Sequence, residues 1–212
     1  MIVETLVTTC DDDGCFNLAP MGPHLDDGWE RDPTAPPKFV LRPFVGSTTH
    51  RNLLSTGAAV IHFSSDASLF ARSAVAAIRG GDVDALTIPI GDGLRRLVRC
   101  ERFFAVRTRC DDPDAERPIV HCEIMEQATV DPPRGINRAA AALIELSILA
   151  TRIDRLPPAM IRQQIESLTP AVDKTAGVTT RAAFDQLRRH IEQKLGVAPE
   201  SVDPRMTPGA GG

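Results

Sequence analysis

The chain changes character once, just after residue 130. Up to that point, runs of β-branched and apolar residues alternate with turn formers. Beyond it, "PPRGINRAAAALIELSILATRIDRL", "AMIRQQIESL" and "TRAAFDQLRRHIEQKL" carry helical patterns. In the last of these, Phe184, Leu187, Ile191 and Leu195 recur at the spacing of one helix face. A doubly wound parallel sheet needs strands and helices in alternation throughout. Strands gathered in one part and helices in the other predict instead an α+β fold, mainly antiparallel β, with a C-terminal helical extension. The expected organisation is a strand-rich domain over 1–130, helices over 131–196 packed on it, and a tail over 197–212 that ends "DPRMTPGAGG" and reads as disordered.

Within the first part, "IVETLVTT" reads as a strand, "DDDG" as a turn, and "CFNLAPMGPHL" as the returning strand, which Pro20 and Pro23 confine to a sheet edge. "DDGWERDPTAPP" reads as a loop and "KFVLRPF" as the third strand. "TTHRNLLSTG" reads as a short helix capped by Ser47 or Thr48 and ended by Gly57. "AAVIHF" is a buried strand, and "SDASLFARSAVAAI" a helix opened by Ser65 or Asp66. "RGGDVDALTIPIGDG" reads as a loop. "RLVRCERFFAVRTRC" and "PIVHCEIMEQATV" follow as two long strands.

Several functions are disfavoured by composition. The net charge of −4 argues against a protein built to grip nucleic-acid backbones. The first residues meet acidic side chains almost at once, unlike a secretory signal, and no apolar run reaches the roughly 20 residues of a membrane span. The expectation is a cytoplasmic protein without nucleic-acid or membrane partners. Cys10, Cys15, Cys100, Cys110 and Cys122 lack the C-x-x-C spacing of zinc or redox sites, so they read as buried reduced thiols and no metal site is expected. Nucleophile elbows, phosphate-binding P-loops and dinucleotide fingerprints do not occur, so redox chemistry here would need a bound cofactor.

Four stretches could carry chemistry. In "FVLRPFVGSTTHRNLLSTG" Arg42, Ser47, Thr48, Thr49 and Arg51 gather where a strand hands over to a helix. Either the hydroxyls merely cap the helix, or its N-terminus, with those donors, holds an anion such as a phosphate. In "NLAPMGP" small residues on a strand would let a planar ring approach the backbone, or the prolines simply protect an edge. His62, Ser64, Ser65 and Asp66 stand at another strand-to-helix junction, where Asp66 is a cap or touches a ligand. Arg134, Asn137, Arg138, Glu145 and Arg152 decorate an otherwise apolar helix and could face a cleft or another subunit.

Taken together and in order, "NLAPMG", "LRPF", "STTHRNL", "HFSSDASLFA" and "RGINRA…ILATR" resemble the FMN-binding split-barrel superfamily, which includes flavin reductases and pyridoxamine-phosphate-oxidase-like proteins, and within it a branch of domain-of-unknown-function proteins. The likeness spans residues 1 to about 155 by motif. It implies a six-stranded barrel binding FMN without a covalent link. The phosphate would lie near Arg42, Ser47, Thr48, Thr49, Arg51 and Asn52, and the ring against Asn17, Leu18, Ala19, Pro20 and Met21. It further implies a homodimer with the flavin at the subunit interface, and NAD(P)H as electron donor to a flavin oxidoreductase. A non-catalytic module for a flavin or another phosphorylated ligand is the alternative. The apolar Phe103, Phe104, Val106, Val120 and Ile124 fall on both faces of their strands, so a second face must be covered by the chain's own helices or by a partner.

Overall fold

The computed structural model describes residues 1–32, 34–76 and 78–196. The tail expected over 197–212 lies outside the described residues. β1 (Thr5–Cys10) and β2 (Phe16–Met21) form the first hairpin, followed by β3 (His24–Leu25), α1 (Asp27–Arg31), β4 (Phe39–Leu41), α2 (Thr48–Thr56), β5 (Ala58–Phe63), α3 (Ala67–Val75), β6 (Ile78–Arg79), α4 (Gly81–Asp84), β7 (Thr87–Pro89) and β8 (Arg95–Leu97). The long strands β9 (Arg102–Asp111) and β10 (Ile119–Thr129) come next, and α5 (Arg138–Ala150), α6 (Pro158–Thr175) and α7 (Val178–Lys194) complete the chain.

The main sheet has the order β3-β4-β10-β9-β5-β1-β2-β6, and every pairing in it is antiparallel. Its β3 edge returns to the start of the chain. Ile2 bridges His24, and Met1 and Leu25 exchange hydrogen bonds at 2.9 Å. The sheet thus closes into a barrel in which β2 and β3 act as one bent strand, with β6 attached outside β2.

Strands buried on both faces lose the polar-apolar alternation of a half-exposed sheet. On β1, Val7 points into the barrel with Phe39, Leu41, Ile61, Phe104, Val106 and Val120, while Leu6 joins Leu18, Phe70, Leu97 and Phe103 outside it. The outer face is covered by α3 and by residues 81–97, so the chain's own elements cover Phe103. Ile124 remains half-buried at the barrel rim.

Five expectations need correction. "RGGDVDALTIPIGDG" is not a loop: it holds the end of β6, α4 and half of the β7–β8 hairpin, because Val83, Leu94 and Leu97 dock on the outer sheet face, and α3 stops at Val75 so that Ile78, read as helical, starts β6. Two polar side chains from the sheet anchor that docking. The Thr8 hydroxyl donates to the Arg95 carbonyl at 2.8 Å, and Leu97 N–H donates to His62 Nε2 at 3.0 Å. "RLVRCERFFAVRTRC" is two strands, interrupted where Glu101 N–H turns to the Phe63 carbonyl and its carboxylate takes Ser65 N–H at 2.9 Å. "DDGWERDPTAPP" contains α1, capped by Asp26. Finally, α6 runs on through Pro170, and α5 starts only at Arg138, with Asn137 as its cap.

The three C-terminal helices bury Leu143, Leu146, Ile161, Val172, Phe184 and Ile191 against one another and against Ala67 and Ala71 of α3. Alanines at those two positions let α5 and α7 approach α3 closely. Ile144 of α5 also packs against the outer sheet core.

Candidate functional site

The helix α2 begins as local signals require. Gly46 takes φ +73, a left-handed turn residue that carries the chain from Phe44 to Ser47. Ser47 is the cap: its hydroxyl accepts His50 N–H at 3.1 Å. At the far end Gly57, at φ +64, closes the helix onto the Leu53 carbonyl. Among the described residues, the N–H groups of Thr48 and Thr49 have no acceptor, as befits a first helical turn.

Around this turn the structure assembles more than the cap. β6 pairs with β2 so that Arg79 lies opposite Asn17. From there the Arg79 guanidinium reaches the Thr48 hydroxyl. Arg51 donates to the same hydroxyl at 3.3 Å and also to the Gly46 carbonyl. Two guanidinium groups therefore converge on one oxygen. Among the described residues neither has a carboxylate within the 4.0 Å of an ion pair. Asn17 Nδ2 donates to Thr49 Oγ1 at 3.4 Å, leaving that hydroxyl's own proton free to donate. His50 Nδ1 accepts Gly46 N–H at 3.1 Å, so a neutral ring carries its proton on Nε2, which is buried and unpartnered.

The residues predicted from sequence divide into groups. Ser47, Thr48, Thr49, Arg51 and Asn17 come together. Asn52 is buried, and its amide donates to Thr9 Oγ1 at 3.1 Å, joining α2 to the barrel end. Arg42 turns away from the hydroxyls: it donates to the Arg117 carbonyl at 3.2 Å, and Arg117 Nε returns a bond to the Arg42 carbonyl at 3.0 Å. The Leu18 side chain is locked in the outer core. Beyond Leu18, the outer edge of β2 at Ala19, Pro20 and Met21 has no strand partner among the described residues, since β6 covers only Asn17 and Leu18.

Arg79 was not singled out from the sequence. It opens "RGGDVDALTIPIGDG", which reads as a loop, and its place beside Thr48 depends on a two-residue strand with no periodicity to detect.

Other stretches resolve differently. Asp66 caps α3, accepting Ser68 and Leu69 N–H at 3.1 Å. His62 is fully buried between the Leu6 carbonyl and Leu97 N–H, and burial pulls its pKa down to about 4. Glu4 has its carboxyl pushed above its ordinary value, first by partial burial and then by the charge of Glu145, with Arg152 opposing. Two of the polar residues on α5 and the turn after it thus act on the start of β1. Only Cys100 of the five cysteines is fully buried, and Cys15 is exposed. Burial pushes Cys100 up to about 11 and Cys122 up to about 12. A groove of about 490 Å³ at the β3–β4–β10 side, lined by His24, Asp26, Lys38, Phe39, His121 and Cys122, borders none of the predicted residues.

Residues 3–131 match the family model described as the N-terminal domain of protein of unknown function DUF447, and residues 137–189 match a second DUF447 model. The chain belongs to the DUF447 family. The boundary between the two DUF447 segments falls where the sequence changes from strands to helices. An FMN-bound DUF447 protein from Methanosarcina mazei superposes with a TM-score of 0.73 at 16% identity, covering 89% of this chain and 94% of that one. The fold is the FMN-binding split barrel. An FMN-binding protein from Thermus thermophilus, with bound 1-cyclohex-2-enone, gives a TM-score of 0.48 at 12% identity over 63% of this chain and 78% of that one. Component B of nitrilotriacetate monooxygenase from Bacillus cereus gives 0.48 at 13% identity over 61% and 71%. No curated protein matches this DUF447 chain. No helix among the described residues is long and apolar enough to cross a membrane.

Proposed function

We propose that this chain is a flavoprotein that binds FMN non-covalently, with the phosphate at the start of α2, and that it works as an NAD(P)H-dependent flavin oxidoreductase. The observation that carries the reading is the meeting of Arg51 and Arg79 on the Thr48 hydroxyl without a carboxylate between them. Two cations held that close repel by on the order of 1 kcal/mol even after solvent screening, and a dianionic phosphate turns the repulsion into attraction. The free N–H groups of Thr48 and Thr49 and the positive end of the α2 dipole favour the same charge. The residues present also fit the rest of the group. His50 Nε2 is a buried donor without a partner, and the open β2 edge at Ala19, Pro20 and Met21 offers main chain to a flat ring.

In this reading Ser47 sets the helix start, and Thr48, Thr49, Arg51 and Arg79 hold the phosphate oxygens. Asn17 fixes the Thr49 rotamer, and Asn52 ties the helix to the barrel through Thr9. Bound FMN would supply the hydride and electron chemistry that the side chains here do not. The same reading takes the protein as a homodimer. Among the described residues β10 beyond His121 pairs only with β9, and the register shift between Ile124 and Glu126 leaves Met125 exposed on that open edge.

Purification decides the matter. A yellow preparation whose flavin bands bleach on anaerobic addition of NAD(P)H is expected, and a yellow preparation that does not bleach would leave a binding module only. Arg79→Ala and Thr49→Ala should each weaken FMN binding about tenfold. Unchanged affinity in both would remove the phosphate from this helix. Light scattering should give twice the 22.9 kDa of one chain, and a monomer that holds FMN tightly would end the shared-interface reading.

A further inference from the structure

A second concentration of positive charge lies on the other side of the turn that leads into α2. Phe44, nearly half exposed at 47%, has the Arg117 guanidinium 4.0 Å and the Arg155 guanidinium 5.3 Å from its ring centre. The two guanidinium carbons are therefore no more than about 9 Å apart. Arg42 is bracketed to Arg117 by their reciprocal main-chain bonds, and its Nε is buried without a partner. Glu116 and Asp154 are sequence neighbours of two of these arginines. Even so, among the described residues no carboxylate comes within 4.0 Å of Arg42, Arg117 or Arg155.

Bracing the loop accounts for one nitrogen each of Arg42 and Arg117. It accounts neither for the buried free Nε of Arg42 nor for the Arg155 guanidinium, which makes no hydrogen bond among the described residues and only flanks the ring. The chain carries 28 acidic residues against 24 basic ones, so three arginines without a carboxylate are not a by-product of a basic composition. Contact with the Phe44 ring orients guanidinium groups but leaves their charge uncompensated. A phosphate can accept from guanidinium forks on two sides at once, and the spacing across Phe44 is of that order.

We propose that Arg42, Arg117 and Arg155 around Phe44 form a second anion site, which takes the phosphate or diphosphate of a ligand bound alongside the one at α2. The site joins the barrel to the helical unit, because Arg155 comes from the turn after α5, Arg42 follows directly on β4, and Arg117 lies in the β9–β10 connection. It lies next to the first: Ser47 N–H bonds the Phe44 carbonyl, and Arg51 holds Gly46. Together they make one cationic strip along residues 42–51.

The test is calorimetric titration of the full-length, FMN-saturated protein with inorganic pyrophosphate, NAD⁺ and NADP⁺. The oxidised dinucleotides exclude electron transfer. Pyrophosphate is expected to bind, and R117Q and R155Q should each weaken it about tenfold while FMN affinity stays within about twofold of wild type. Tighter binding of NADP⁺ than of NAD⁺ would name the ribose phosphate as the recognised group, and equal binding would name the diphosphate. No binding of any of the three probes at roughly 1 mM, or binding that both variants leave unchanged, overturns the proposal. Should FMN itself not bind, the same titration in the R79A background isolates the second site, so the flavin reading and this one fail separately.

Discussion

His62 should make this protein acid-sensitive in a narrow and attributable way. The ring is fully buried, with Nδ1 2.9 Å from the Leu6 carbonyl and Nε2 accepting Leu97 N–H at 3.0 Å. That pair of partners fixes the neutral tautomer with its proton on Nδ1. Adding a proton to Nε2 would set two N–H groups against each other in a site closed to water. Burial accordingly lowers the folded-state pKa from 6.5 to about 4. The native state therefore binds fewer protons than the unfolded one between those values. The stability this confers is complete above about pH 6.5 and is lost as the pH falls towards 4. At about 1.4 kcal/mol per unit, the loss approaches about 3 kcal/mol, most of it complete by about pH 4.5. Urea unfolding of wild type and His62→Gln at a series of pH values isolates the effect, since carboxylates and the other histidines cancel in the difference. The variant starts less stable at neutral pH, having lost its fit between β1 and β8. The gap should then shrink as the pH falls. Parallel stability curves between about pH 7 and about pH 4.5 would refute the reasoning.

Three further outcomes follow from packing and backbone geometry. Gly57→Ala should cost about 1 kcal/mol in urea unfolding: the new Cβ would meet the Thr108 carbonyl only at 3.7 Å, an ordinary contact, so the penalty comes from holding alanine at φ +64. Leu143→Ala, at a fully buried position between α3 and the C-terminal helices, should cost about 2–5 kcal/mol by the same measurement. Limited proteolysis should not release a stable barrel ending near residue 131, because that cut uncovers Ala67 and Ala71 of α3 and the apolar face around them. A long-lived fragment of that size would make the helices a separate domain.

What could be read in advance was what local chemistry encodes. The stop at Gly57 is written in one residue and the caps in adjacent pairs, Ser47 or Thr48 and Ser65 or Asp66, of which the structure uses Ser47 and Asp66. The parts that escaped depend on distant partners. α6 passes Pro170 because the carbonyl left unpaired belongs to Glu166 on an exposed face, where water can serve it. The break between β8 and β9 falls inside a stretch that reads as one long strand, where Glu101 bonds Ser65 and Phe63 across the sheet. β6 is two residues long and exists only through its pairing with β2, so nothing in the sequence marks Arg79 as a candidate site residue.

Those two classes of residue meet at the start of α2. A hydroxyl at a helix start is ambiguous in sequence, because capping and anion binding ask for the same donors and the same dipole. Hydrogen-bond partners separate the cap from the phosphate contacts proposed above. Ser47 satisfies the cap by itself, through His50 N–H, so the helix needs nothing from Thr48 or Thr49. Thr49 is held by Asn17 from the first hairpin, and Thr48 is approached by Arg51 from its own helix and by Arg79 from the added strand. Capping would draw no arginine to Thr48, still less two. Their convergence needs three separate elements, β2, β6 and α2, to be folded together first. The cap is therefore a property of a nine-residue segment, and the proposed phosphate cradle a property of the barrel that carries it.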